Sequence, residues 1–367
     1  MAEVQLASAS EKQKWISQYF NEYVRESGFK PYMGRSSSSV IIAKYELQSE
    51  AGKTINIPLI TRLKGAGVTG STVLVGNEED LGNYNCAISV DWRRNGVVVP
   101  KSTSYKTEID LLGAARDALR SWEAEQLRDD IIKAMASVVT SGDTVALLAD
   151  SDAAARNAYA VGNADRLLFG KLVSNYSATF ANALTNLDTT DDKCTAASMS
   201  LAKRIAKQAD PHIRPFKVGD GREYYIAFHG SRTFRDLKGD STMTQANREA
   251  RPRDVEANPI FQDGDLIYDG VIHREIPEID TVVSSGSYTL NNKGAGGTTD
   301  VRPVFVCGQQ AVGIAWGQEP TPRTDMDRDF KFRPAVGIEE LLGVKKLAFN
   351  GKQHGMVTAF FAAAADS

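Results

Sequence analysis

The chain is poor in cysteine and histidine, and the patterns those few residues fail to make exclude several chemistries. Three cysteines, Cys86, Cys194 and Cys307, lie far apart with no C-x-x-C spacing, so neither a zinc ribbon nor a disulfide framework is encoded. Reduced thiols in a cytosol are the expectation. The four histidines, His212, His229, His273 and His354, are single and widely spaced, and each reads as a loop or surface group. His273-Arg274-Glu275 opens like a deaminase zinc motif, yet no P-C-x-x-C follows it. Asp263-Gly264-Asp265 with Asp269 lacks the ligand order and closing glutamate of a calcium loop. There is no G-x-S-x-G elbow and no phosphate-binding G-x-x-x-x-G-K-[ST] loop. The expectation is a protein with no catalytic residues, cofactor or metal. Long apolar runs are missing too. Met1 to Lys14 offers no signal-peptide core, and the longest apolar stretch, near Met356 to Ala365, is about half a membrane span. A soluble, cytoplasmic chain without a membrane partner is expected. Asn175-Tyr176-Ser177 is then a glycosylation acceptor in form only. Excess positive charge is also absent: the net charge is −3, against a protein that grips phosphates.

What is present is an ordinary globular composition, 42% hydrophobic and 24% charged, over 367 residues. That length exceeds a usual single core and predicts two or more packed units. Residues Glu11 to Ser27 repeat Trp15, Tyr19, Tyr23 and Ile16, Phe20, Val24 at helical spacing. Such a helix docks either on its own domain or on a neighbouring subunit. Val40 to Val99 changes to strand character. Ile55, Ile57 and Leu59 alternate with Thr54, Asn56 and Pro58. Lys64 to Gly70 is a glycine-rich turn, Ser71 to Val75 reads as the return strand, and Glu78, Glu79 and Asp80 make a charged corner. Ala87 to Trp92 and Gly96 to Val99 are further strand. The excursion is long, thin and short of large apolar residues. A lone hairpin is marginal in water, so its burial is expected from surfaces outside its own fold. Gly65-Ala66-Gly67-Val68-Thr69-Gly70 spells a dinucleotide fingerprint, but the β-branched, glycine-broken Ser71 to Gly76 that follows is a poor helix start. It is a turn.

Thr107 to Val138 is the strongest helix. Thr107 can cap it, and Leu112, Ala115, Leu119 and Trp122, then Leu127, Ile131, Met135 and Val138, form its apolar stripe. Roughly 30 residues give about 45 Å. Helical composition continues through Asp152 to Leu184, and a further helix, Cys194 to Gln208, carries Met199, Leu201, Ala202 and Ile205 before Pro211. Beyond Tyr224 strands and turns mix, Asn291 to Thr299 is a loop by composition, and Leu347 to Ala364 reads as two strands about a Gly351–Gly355 turn. The class is α+β, without internal repeats.

The order of segments, with three sets of strings, resembles the major capsid (coat) protein family of tailed bacteriophages, whose fold was first described for phage Hong Kong 97. Thr54 to Gly70 followed by Leu74-Val-Gly-Asn-Glu-Glu-Asp-Leu81 is similar to the extended loop, or E-loop, of those coats. Asn163-Ala-Asp-Arg-Leu-Leu-Phe-Gly170 resembles their DR-x-x-x-G segment. Asn258-Pro-Ile-Phe-Gln-Asp-Gly264 with Tyr268-Asp-Gly-Val-Ile272 resembles NPIF-x-G … Y-x-GV-x-I, departing at Asp263 and Asp265, where small residues are usual. The strings span about Arg35 to Glu275; the last hundred residues carry none.

The resemblance implies an N-terminal arm (1–34), an E-loop (48–101) and a peripheral domain (35–47, 102–190 and 340–367) with its spine helix at 107–138. An axial domain (191–339) completes it. It also implies hexamers and pentamers in an icosahedral shell around double-stranded DNA held without sequence recognition. A separate scaffolding protein is expected, because the arm and E-loop begin so early; a portal and an optional decoration protein are further partners. Chain-to-chain contacts are expected at Trp15, Tyr19, Ile55, Ile57, Leu59, Arg62, Lys64, Glu78 and Glu79. Assembly would occur in the host bacterial cytoplasm. An encapsulin-like cargo compartment of the same fold is the alternative, and a metabolic enzyme with its site after Cys194 the remoter one.

Overall fold

The computed structural model describes residues 28–49, 52–105, 111–140, 145–218, 222–249 and 266–363. The expected aromatic helix with Trp15 and Tyr19, the cap at Thr107, and the Asn258–Gly264 string lie outside them. In chain order the elements that carry the argument begin with strands β1 (Ile41–Lys44), β2 (Thr54–Ile60), β3 (Asn83–Ser89) and β4 (Asp91–Val98). Helices α1 (Leu111–Ala136) and α2 (Ala153–Gly162), strand β5 (Leu167–Phe169) and helix α3 (Ala196–Gln208) follow. Strands β6 (Arg222–His229), β7 (Val271–Glu275), β8 (Asp300–Cys307), β9 (Val312–Asp325), β10 (Ala335–Lys346) and β11 (Met356–Ala363) complete the frame.

Two sheets organise them. The first runs Met33–Gly34, β1, β9, β10, β4; the second runs Leu266–Tyr268, β7, β6, β8, β11, β5, with Phe216–Val218 pairing the start of β6. Alternation explains why the second sheet is covered on both faces. Ile226, Phe228, Phe305 and Phe360 point into the main core, whereas Ala227, Val304, Val306, Val357 and Phe361 point into a second core beneath α3. A strand buried on both faces needs an unbroken apolar run, and all eight residues of β11 are buried. Phe360 stacks on Phe169 of β5 at 5.2 Å and meets Phe180 edge-on.

Strand pairing crosses the boundaries expected at 190/191 and 339/340. β9, expected with the axial unit, joins β1, β10 and β4 in the first sheet, while β5 and β11 join the second. Hydrogen-bond partners far apart in sequence decide the layers, so contiguous blocks divide the chain differently from its sheets. β4 likewise belongs to the first sheet, paired with β10 from Ala335↔Val98 to Leu342↔Asp91, so the excursion is shorter than expected.

Helix α1, 26 residues and about 39 Å long, follows the stripe but ends at Ala136, and Val138, expected on its last turn, belongs instead to a short strand paired with Ala146. Ala115 and Leu119 pack on Val336 and Ile338 of β10, and Leu127, Ile131 and Met135 are fully buried in the main core. Each such side chain contributes roughly 2–3 kcal/mol by burial. Thr195 caps α3 in a reciprocal box with Ser198, and Met199 and Ala202 face the sheet. In the DR-x-x-x-G segment Arg166 is buried and donates to the carbonyls of Gln353 (2.6 Å), His354 (2.7 Å) and Pro211 (2.6 Å). That arginine ties three loops together. The Tyr268–Ile272 string is a hairpin whose turn, Asp269-Gly270, has positive φ at both positions (46° and 68°), the geometry that favours Asp-Gly.

Two readings need correction. His229 and His273 are buried rather than superficial, because their strands run side by side in the covered sheet. Ser71–Val75 forms no strand; the return strand is β3, seven or more residues later. Gly70 and Gly76, at φ 66° and 90°, bracket those five residues and break any run long enough to pair.

Candidate assembly surface

The excursion is a two-stranded hairpin, β2 on β3, in register from Thr54↔Ser89 to Ile60↔Asn83. Period-two alternation sets Ile55 opposite Ile88, Ile57 opposite Cys86 and Leu59 opposite Tyr84 on one face. That face is filled by the same chain. Ile55, Cys86 and Ile88 are buried with Ile42, Ala315, Leu347 and Phe349, and Ile57 and Leu59 pack half-buried against them. The partner that the alternation demands is therefore the hairpin's own first sheet. Room for it comes from Gly343, where a Cβ would stand 2.0 Å from the Ser89 carbonyl, and from Gly313, where it would stand 2.5 Å from Ile88 Cδ1.

From Ile60 on, the apolar side chains of the loop leave their own body. Ile60, Leu63, Val73, Leu74, Val75 and Leu81 are 65%, 58%, 66%, 56%, 80% and 60% exposed. Between them no helix opens at Gly70, so the glycine string offers no dinucleotide cradle. Polar groups shape the loop instead. Glu79 accepts from the backbone N–H of Lys64 and of Gly65, both at 2.5 Å, and these two bonds hold its carboxyl below the usual range. Glu78 turns back to the N–H of Gly76 (2.6 Å). Arg62 and Lys64 both reach Asp210, at 3.2 and 2.5 Å, and the Lys64 bond leads the causes that lower the Asp210 carboxyl.

The expected contact residues thus divide. Arg62 and Lys64 come together on Asp210; Glu79 holds the backbone of Lys64 and Gly65; Glu78 serves its own turn; Ile55, Ile57 and Leu59 face inward. Trp15 and Tyr19 lie outside the described residues. Asp210 was missed, having no signal beyond its place before Pro211. Val73-Leu74-Val75, strand-like in composition, is exposed and in no strand.

A cleft of about 590 Å³ lies between β3, β4, α1 and β10, lined by Asp91, Arg93, Asp130, Lys133, Lys345 and Lys346 among others. Its charges are largely spoken for: Arg93 pairs with Asp130 and Glu340, Lys345 donates to the Ala87 carbonyl and Lys346 to that of Ser137. Among the described residues no group of three or more His, Cys, Asp or Glu could hold a metal ion, and no helix is long and apolar enough to cross a membrane. Asp269, at the end of the acidic run, is paired with Lys203 at 2.8 Å.

Comparison with known proteins agrees with this geometry. A solved chain from the cyanophage Pam1 capsid asymmetric unit is 50% identical, with a TM-score of 0.87 and full coverage of both chains. The capsid of Ralstonia phage GP4 shares the fold at 21% identity, a TM-score of 0.69 and coverage of 92% and 90%. The major capsid protein of Pseudomonas phage KPP25 is 24% identical over 96% of this chain and 95% of its own. The α+β fold is thus the Hong Kong 97-like fold of phage shells. A family model described as phage capsid protein matches residues 3–363, and the chain belongs to that family.

Proposed function

We propose that this chain is the major capsid protein of a bacteriophage, assembling into hexamers and pentamers that close an icosahedral head around double-stranded DNA. The observation that carries the reading is the loop between Ile60 and Leu81. Six large apolar side chains, each more than half exposed, stand on one excursion. A protein that works alone rarely leaves so many large apolar side chains wet on one loop. An obligate partner removes it, on the order of 2,000 Å² per interface or more, and in a family of shell proteins the partner is another copy. Arg62, Lys64 and Glu79 rim that loop and supply the polar part of the contact, exchanging Asp210 of their own chain for groups on the neighbour. The inward Ile55, Ile57 and Leu59 hold the hairpin's base, so the contact lies further out than their alternation alone suggests.

A separate scaffolding protein, a portal, an optional decoration protein and packaged DNA complete the set of partners, the near-neutral charge suiting DNA contained but not gripped. The reading is structural rather than enzymatic, with assembly in the host cytoplasm and residence in the virion. Deleting Lys64 to Gly70 tests it. Because the hairpin's core lies below the deletion, the variant is expected to stay folded and soluble but form no shells, as seen by sedimentation and electron microscopy. Normal particles from it would refute the role of the loop. Uniform shells from this chain expressed alone would refute the separate scaffold.

A further inference from the structure

Helix α1 and strand β10 each carry a buried apolar stripe, and the same irregularity interrupts both. On α1 every fourth residue from Ala115 to Met135 is buried, and all are apolar but Glu123, which is 0% exposed. On β10 every second residue from Val336 to Leu342 is buried, and again one is a carboxyl, Glu340, also 0% exposed. Ala115 and Leu119 pack on Val336 and Ile338. The next step along each element brings Glu123 to Glu340, and the two carboxyl groups share a hydrogen bond. Glu340 Oε1 accepts from Nε of Arg93, its partner across the ladder on β4. Its other oxygen, Oε2, has no N–H or hydroxyl donor among the described residues. A buried carboxylate oxygen without a donor is costly. The hydrogen in the bond between Glu123 and Glu340 must therefore come from the carboxyl groups themselves.

We propose that Glu123 and Glu340 hold one proton between them and that this proton latches the long helix to the first sheet. With it, the joint contains an O–H···O bond. Without it, two carboxylates face each other in a medium of low dielectric, and the joint loosens. The surrounding charges do not remove the conflict. Arg93 divides its guanidinium between Glu340 and Asp130, and Lys133 stands at the rim beside Asp130. Arg116 and Arg120 precede Glu123 on α1, Arg120 pairing with Asp117 at 3.6 Å. Glu339, next along β10, turns to the other face and pairs with Arg323 at 2.7 Å. Arg93, Asp130 and Lys133 also line the cleft of about 590 Å³, which gives the proton a route to water and the loosened joint a space to open into. Burial, opposed by Arg93, raises the Glu340 carboxyl to about 7, so the pair exchanges its proton near neutrality. The device lies within one chain and does not depend on the shell reading.

The pH profile of unfolding tests it on the full-length chain. Between the usual carboxylate range and about 7 the folded pair binds a proton that the unfolded chain has released, so its contribution to stability falls as pH rises. From pH 5 to pH 8 the unfolding equilibrium constant of wild type should rise ~10-fold or more relative to Glu340→Gln, whose amide donates to Glu123 at any pH. His229, His273 and Lys346 are present in both chains, and their own pH effects cancel in that comparison. Glu123→Gln should flatten the profile in the same way. Amide protection along α1 and β10, corrected for intrinsic exchange, should fall with pH in wild type alone. The infrared band of a protonated carboxyl group should fade from wild type as pH rises through about 7 and be weaker in both variants. A stability difference constant with pH, or a wild-type spectrum without that band at pH 6, would overturn the shared proton. Protection in wild type that stays constant across the transition would overturn the latch.

Discussion

The buried histidines show how much a single proton can matter here. His229 Nε2 and His273 Nδ1 lie 2.9 Å apart, so one ring donates and the other accepts, and both are neutral. Burial, with the neighbouring ring adding to it at His229, lowers both imidazoles, His273 to about 3. The unfolded chain takes up these protons near pH 6.5. Their effect on stability is therefore nil above that point, and stability is lost as pH falls below it. The urea midpoint of the free subunit should drop between pH 7 and pH 5, with a visibly shallower slope in His273→Asn. Equal slopes would show that other groups carry the acid sensitivity. Lys346 acts in the opposite part of the scale. Fully buried, it donates to the Ser137 carbonyl (2.6 Å) and to Gln353 Oε1 (3.2 Å), and burial pulls its ammonium down to about 7. Between there and its usual 10.5 the unfolded chain binds the extra proton, so stability contributed at this site grows with rising pH. From pH 7 to pH 9 wild type should gain melting temperature relative to Lys346→Met; a constant difference would argue against a buried titrating amine.

At the scale of elements, the strand hairpin and the sheet beneath it are fitted through glycine. Gly343→Ala places a methyl group against the Ser89 carbonyl and should cost about 2–3 kcal/mol in denaturant unfolding, the cost of overpacking against unyielding backbone. Gly67→Ala meets nothing within 4 Å and bears only its φ of +69°, about 1 kcal/mol. Comparable losses would mean that the hairpin base is loosely seated. Helices were the legible elements. The stripe from Leu112 to Met135 gave the length and inner face of α1, because helical periodicity persists over many turns and averages out exceptions. The excursion was legible as strand but not as to what it packs on. Alternation at Ile55, Ile57 and Leu59 states that one face is buried and is silent on whose surface buries it. The return strand differs for a local reason: Val73-Leu74-Val75 has the composition of a strand, but the left-handed glycines at 70 and 76 cut the run too short to pair.

For the whole molecule, the proposed assembly role of the surface exposed between Ile60 and Leu81 predicts that free and assembled subunits differ in stability. Anything that binds only the native state raises its unfolding temperature. Subunits in capsomers should melt above free subunits, and the gap should close in the Lys64–Gly70 deletion; an unchanged gap would place the stabilising contact elsewhere. Family strings disclosed the architecture at this scale, yet the sheets were not legible as blocks of sequence. Which strands sit side by side depends on pairings such as Ile314↔Val344 and Phe305↔Thr358. Those are fixed in three dimensions and leave no mark on local composition.

Strand β11 lies between β8 and the edge strand β5 of the second sheet, although every other strand and helix described here precedes it in the chain. A ribosome therefore emits both flanks of that layer before the piece that joins them. Until it arrives, nascent chains hold an open slot, with Phe169 and Phe305 lacking their lid. A chain truncated before Met356 is therefore expected to leave the edges of β8 and β5 unpaired and to be poorly soluble, as its yield after centrifugation would show.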